Sequence, residues 1–177
     1  MPGMSSTDAR AKGITSWGEA ANDLQAGIAV IGPVQNHPEK MQFRLCQRNM
    51  AEMPLRVLEM RHRRRYPRGL YEVTVDGKAV TCQLPVASQP DPPPLAYIFL
   101  APGEQDSVSE TLMLADSWDI TPPCTAKVRI VIRNERSEIV AHDAEDNAVT
   151  VSGLWIATAR SGAVAVRVTP LAFPLRP

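Results

Sequence analysis

The sequence predicts an all-β fold, a Greek-key sandwich of about eight to ten short antiparallel strands, on the strength of three observations. Met41 to Arg48, Ser107 to Leu114 and Lys127 to Arg133 are apolar at alternate positions, the period of a half-buried strand. In the last of them Val128, Ile130 and Ile132 share one face, and Lys127, Arg129 and Arg133 share the other. No helix-period segment exceeds about three turns. Sixteen prolines and ten glycines interrupt the 177 residues, so connections are frequent and short.

In chain order, Met1 to Ser16 reads as an extended N-terminal arm, residues 17–169 as one sandwich domain, and Pro170 to Pro177 as a proline-rich C-terminal tail. A first strand at Gln25 to Ile31 is closed by Gly32-Pro33, because proline cannot donate within a ladder. The second strand is Met41 to Arg48. Asn49 to Pro54 connects it to a third at Leu55 to Met60. A basic interruption, Arg61 to Gly69, separates this from a hairpin of Leu70 to Val75 and Lys78 to Leu84, whose Asp76-Gly77 corner suits a type I′ turn. Gln89 to Pro94 is a stiff proline loop. Leu95 to Leu100 is an apolar strand, and Ala101-Pro102-Gly103-Glu104 has the residue order of a type II turn.

In the following strand Val108, Leu112 and Leu114 share a side with Glu110, which therefore has to lie at a sheet edge or meet a partner. Asp116 to Pro123 turns the chain into Ala126 to Arg133. Asn134 to Asn147 reads as an acidic stretch without a strand, touching the core only at Ile139 and Val140. Two late strands, Leu154 to Ala159 and Ala163 to Val168, are joined by Arg160-Ser161-Gly162 as a tight connection.

The chain is 44% hydrophobic but only 5% aromatic, so its core has to be built from aliphatic side chains. Nineteen basic against nineteen acidic residues give zero formal charge. A long-range field gathering nucleic acid or anionic membrane is therefore not expected from the whole molecule, local patches being left open, and little self-repulsion opposes association. No apolar run is long enough to span a membrane as a helix. Met1 to Gly13 lacks the signature of a secretory signal, so the sequence as given reads as soluble and cytoplasmic; with a signal omitted the protein is periplasmic or extracellular. The three cysteines, Cys46, Cys82 and Cys124, read as reduced thiols. Alternation places Cys46 with Arg44 and Arg48, away from Phe43 and Leu45, and Cys124 is read as preceding its strand.

Gly-x-Ser-x-Gly, Gly-x-Gly-x-x-Gly and the phosphate-loop pattern do not occur, and His37, His62 and His142 lie far apart in the sequence. The expectation is a protein without catalysis, metal or cofactor. Asp143, Glu145, Asp146 and Asn147 offer oxygen ligands, but too few for calcium and without the spacing of its helix-loop-helix site. Trp17, Trp118 and Trp155 read as core or sandwich-end anchors.

The candidate partner-binding residues are Arg61, Arg63, Arg64, Arg65, Tyr66 and Arg68, five guanidinium groups around one ring. Such a cluster can hold phosphates or an acidic protein surface. An acidic protein partner is preferred over RNA or DNA, since single-strand readers spread aromatics over a platform. The competing reading is a solvated loop whose arginines neutralise acidic loops such as Asp143 to Asp146.

Several landmarks together resemble an immunoglobulin-like sandwich module of multidomain bacterial proteins. They are Trp17-Gly18-Glu19, Leu24-Gln25-Ala26-Gly27, Arg48-Asn49, Leu100 to Glu104, Trp155, Ser161 and Val164 to Val168. The resemblance spans about Trp17 to Val168 and implies an immunoglobulin-like Greek-key sandwich. The turn Leu100 to Glu104 and its flanking strands are also similar, more faintly, to the intracellular proteinase inhibitors, although no reactive loop is located. The expected function is a non-catalytic protein–protein interaction module, an accessory or structural subunit of a larger assembly. The alternatives are a proteinase inhibitor and, ranked last, a small hydrolase or nucleic-acid-binding protein.

Overall fold

The computed structural model describes residues 13–85 and 90–170. Most of the N-terminal arm, Gln89 of the proline loop and all but Pro170 of the tail lie outside the described residues. Strands β1 (Ser16–Trp17), β2 (Leu24–Val34), β3 (His37–Asn49) and β4 (Leu55–Leu58) come first, followed by the short helices α1 (Met60–Arg63) and α2 (Pro67–Leu70). Next come β5 (Tyr71–Val75), β6 (Lys78–Ala79), a 3-10 turn at Pro94–Ala96, β7 (Tyr97–Leu100), β8 (Gln105–Leu112) and helix α3 (Leu114–Ser117). The chain continues through β9 (Cys124–Asn134), β10 (Ile139–His142), β11 (Ala148–Val151), β12 (Ala157–Arg160) and β13 (Val164–Val168). The fold is all-β, and among the described residues no helix is long and apolar enough to cross a membrane.

Two antiparallel sheets form the body: the first in the order β1-β2-β3-β8, the second with β9 between β5-β6 and β12, and β13 also on β9. Alternation turns Leu24, Ala26, Ile28, Phe43 and Leu45 of the first sheet toward Val73, Ala126, Val128, Ile130 and Ile132 of the second, all within 2% exposure. One aliphatic core therefore joins both sheets, with Trp118 set edge-on to Tyr71 at a centroid distance of 5.8 Å. The pair β10-β11 adds a smaller core of Ala141, Val151 and Leu154 against Tyr97 and Ile139.

Several sequence-based boundaries are corrected. Among the described residues thirteen strand segments exceed the eight to ten expected. β2 runs through Gly32-Pro33 instead of stopping there, because its register with β3 shifts on both sides of them, and a bulge demands no N–H from proline. Leu55 to Met60 splits into β4 and the start of α1, the second hairpin arm is only Lys78–Ala79, and β8 stops at Leu112, leaving Leu114 to open α3. Cys124 begins β9, opposite Val168, rather than preceding the strand. The Asn134 to Asn147 stretch is not strandless. It contains β10, which pairs with β11 from Ile139↔Val151 to His142↔Ala148.

Arg160-Ser161-Gly162 is not a hairpin connection either. β12 and β13 both run antiparallel to β9, pairing Arg160 with Val131 and Val164 with Val128. They are one strand interrupted by a bulge. Ser161 spans the gap: its N–H donates to the Ile130 carbonyl (3.0 Å) and its Oγ accepts the Ile130 N–H (2.9 Å). Other details follow the sequence. Asp76 and Gly77 take φ of 50° and 76°, as the type I′ corner requires. Gly103 takes φ of 76° with a Glu104 N–H to Ala101 carbonyl bond of 2.9 Å, as in a type II turn.

Candidate interaction surfaces

The Arg61–Arg68 segment is pinned at both ends by core side chains, Met60 at 0% and Leu70 at 4% exposure. Between them the chain folds into α1 and α2, the latter opened by Pro67 at its first position, where a missing N–H costs nothing. Successive residues of a helix point about 100° apart, so adjacent arginines diverge and the cluster does not assemble into one patch. Arg63 is half-buried and its Nε donates to the Leu58 carbonyl at 3.3 Å. Burial pushes its pKa down to about 10, against the opposing effects of Tyr97 and Asp106, which leaves it cationic at neutral pH. Arg64 reaches β8, donating from Nη1 to the Ser109 carbonyl (3.2 Å) with Nε 4.0 Å from Glu110 Oε2.

Arg68 leaves the other side and donates to the Leu84 carbonyl at 3.5 Å. Tyr66 is half-buried; Arg61 and Arg65 are exposed, and their side chains make no hydrogen bond or ion pair among the described residues. None of the segment's bonds goes to Asp143 to Asp146. Asp143 instead closes its own hairpin loop, accepting the N–H groups of Asn147 (2.8 Å) and Glu145 (3.0 Å). Hydrogen bonding from the Asn147 backbone, the largest cause, holds its carboxyl below the usual range.

Beneath α1 lies a polar pocket of the interior. Gln47, at 0% exposure, donates to the Leu58 carbonyl (2.8 Å) and Asp106 Oδ2 (2.9 Å), and the same oxygen accepts the Met60 N–H at 2.7 Å. Gln47 Oε1 and the Tyr71 hydroxyl are buried without a partner among the described residues. Burial pushes the phenol of Tyr97 up to about 12 and raises that of Tyr71.

Glu110, the acidic exception on its strand, sits at the sheet edge as its pattern required and meets Arg64. Burial raises its pKa and Arg64 partly offsets the rise. Between the unfolded and folded pKa the folded chain binds more protons, so stability falls as pH rises through that window. Glu110→Gln is expected to remove this loss. Urea denaturation from pH 4 to 8 should show the variant gaining on the wild type as pH rises; a gap independent of pH would contradict it.

A second basic surface lies elsewhere. β9, β12 and β13 turn Lys127, Arg129, Arg133, Arg160 and Arg167 outward on the second sheet, all exposed. Glu72 is the acidic residue among them, pairing with Arg129 and with Arg160 at 3.3 Å. Alternation had grouped Lys127, Arg129 and Arg133. It missed Arg160 and Arg167, because the Ser161 bulge shifts the phase between them and only strand pairing brings them to the same face. At the β5 edge this face opens into a cavity of about 290 Å³, with Arg68 and Arg129 beside walls of Tyr71, Val80, Cys82 and Trp118.

The tryptophans anchor structure. Trp118 and Trp155 are 1% and 5% exposed, and Trp155 Nε1 donates to the carbonyls of Ala21 (3.0 Å) and Asn22 (2.9 Å). Trp17 lies over Gly27, where a Cβ would come within 2.6 Å of its ring, and carries Arg48 above it at 4.1 Å. Cys46, opposite Gly27, is buried on the outer face of its strand. All three cysteines are unbonded thiols. A comparison with protein-family models finds no match to this sequence, and a comparison with curated proteins finds no significant one.

Proposed function

We propose that this chain is an immunoglobulin-like Greek-key sandwich acting as a non-catalytic protein–protein interaction module, an accessory or structural subunit of a larger assembly. The observation that carries the reading is how polar groups are distributed. Interior ones such as Asn49 and Ser161 are engaged with the backbone of their own chain, whereas exposed cations project outward from the rims and sheet faces. Charged, desolvatable arginines on a rigid frame are suited to gripping another protein. The landmarks that carry the immunoglobulin-like resemblance serve as joints of the frame: Gln25 bridges the Gly18 carbonyl (2.6 Å) and Arg48 Nε (2.7 Å), and Asn49 reaches the Leu100 carbonyl at 2.9 Å.

Within the arginine segment, Arg61 and Arg65 are the side chains left for a partner. Removing the whole segment would break both short helices and displace their core anchors Met60 and Leu70, so charge reversal is the cleaner test. Arg61→Glu with Arg65→Glu is expected to leave the melting temperature unchanged and to release the partner in native co-purification read by mass spectrometry. Retention of a stoichiometric partner by the double variant would refute the role of the segment. A wild-type chain that runs as a lone monomer in its native extract would refute the module reading itself.

A further inference from the structure

The outward face of the second sheet concentrates five cations against one carboxylate in a chain whose formal charge is zero. Lys127 and Arg129 stand two residues apart on β9, about 7 Å along the strand, and Arg160 and Arg167 come from the neighbouring strand about 5 Å away. We propose that this face docks an extended acidic segment of a partner protein, one apolar side chain of which enters the cavity beside Arg129. The proposal rests on the reading of the chain as an interaction module and names its surface and the chemistry of its partner.

Three features favour a polypeptide. Carboxylates on alternate residues of an extended chain repeat at the same interval as Lys127 and Arg129. Glu72 already shows the mode of contact, its two oxygens accepting from Arg129 and Arg160 on adjacent strands; guanidinium groups are shaped for such pairing. The outward positions of β5, β9, β12 and β13 carry no aromatic residue, so a single-stranded nucleic acid would find nothing to stack on. The cavity completes the match. At about 290 Å³ it falls at the small end of ligand pockets, a size for one side chain more than for a metabolite. Tyr71, Val80 and Trp118 give it apolar walls, and at its rim the Glu72 carboxylate is held by Arg129, with Arg68 as the second cation. A buried apolar anchor flanked by charged contacts is the usual distribution of binding energy at an interface.

The test uses the purified chain and a fluorescein-labelled peptide of twelve residues, rich in Asp and Glu with a single Phe, at low salt. Arg133→Glu with Arg167→Glu lies outside the cavity and outside the Glu72 pairs. It is expected to keep the wild-type melting temperature and to weaken the peptide by about tenfold or more. A peptide with Ala for Phe is expected to bind more weakly to the wild type, and the Phe peptide is expected to slow maleimide modification of Cys82, mapped by mass spectrometry.

Unchanged affinity in the double variant overturns the proposal. So does tighter binding of a 12-base-pair DNA duplex than of the peptide, or a salt-sensitive self-association in sedimentation that the double variant abolishes and the peptide cannot displace. These outcomes leave the module reading standing, because that reading is decided by native co-purification. A partner retained in native extracts by the Arg133/Arg167 variant sinks this surface alone.

Discussion

Gly18→Ala is expected to cost about 3 kcal/mol or more and to lower the melting temperature by about 6–12 °C, or to prevent folding outright. A Cβ at Gly18 would fall onto the Arg160 carbonyl oxygen and within 2.7 Å of its carbon. Both belong to backbone, so no rotamer change relieves the overlap. Nor can that backbone retreat easily. The next residue, Ser161, is tied to Ile130 of the central strand β9 through both its N–H and its hydroxyl. On the other side, the Gly18 N–H donates to the Ala26 carbonyl at 3.0 Å and its own carbonyl accepts from Gln25. Gly18, directly after β1, is thus a point of backbone contact between the first sheet and the bulged strand of the second. Gly69→Ala is the control: nothing lies within 4 Å of a Cβ there, and alanine in α2 should be neutral or slightly stabilising. Thermal unfolding followed by circular dichroism compares them, and equal midpoints would mean that the two sheets do not meet at Gly18.

The parts of the fold legible in the sequence are those where local chemistry and burial agree. In β9 every apolar side chain from Val128 to Ile132 on the inner phase is buried, so alternation alone locates the strand. Asp76-Gly77 is equally plain, because few residues tolerate two positive φ angles. Glu110 could be recognised as an exception needing a partner, but not that Arg64 supplies it, since the pair is 46 positions apart in the sequence and is joined only by α1 lying against β8. Bulges hide the rest. At Gly32-Pro33 a register shift carries a strand through residues that normally end one. At Ser161 the shift reverses the phase of alternation, so a single strand reads as two. The β10-β11 hairpin is not legible in the sequence because only Ala141 and Val151 among its eight residues are buried, too little apolar signal against an acidic background, and its loop is shaped by the Asp143 side chain rather than by glycine or proline.

The same physics separates the two basic surfaces. Arg61 to Arg68 is conspicuous as a string of letters, yet short helices fan its side chains toward Leu58, Ser109 and Leu84. The face of Lys127, Arg129, Arg133, Arg160 and Arg167 is spread over 41 residues and exists only once β12 and β13 are aligned on β9. Linear charge density measures crowding along the chain, whereas a partner meets crowding across strands.

Asn49→Ala is expected to cost about 2–4 kcal/mol, more than its small loss of volume would suggest. Asn49 is fully buried and spends its whole amide on backbone: Nδ2 donates to the carbonyls of Met53 (2.7 Å) and Leu100 (2.9 Å), and Oδ1 accepts the Ala51 N–H at 2.7 Å. Its main chain adds bonds to Glu104 and Gly103. One residue therefore fastens the end of β3 to the loop that follows it and to the turn between β7 and β8. Truncation leaves the Leu100 carbonyl without its donor at a residue only 1% exposed, where water cannot readily replace it; the exposed Met53 end can be resolvated. Asn49→Asp separates lost bonding from lost volume. Its carboxylate keeps the acceptor for Ala51 but faces two carbonyl oxygens, so its folded pKa is raised and its defect should deepen as pH climbs through the carboxylate range. The Ala variant carries no titrating group and should run parallel to the wild type over the same range. Urea midpoints at pH 4 and pH 7 decide the matter: a constant gap between the Asp and Ala variants would show that Leu100 and Met53 do not converge on this side chain.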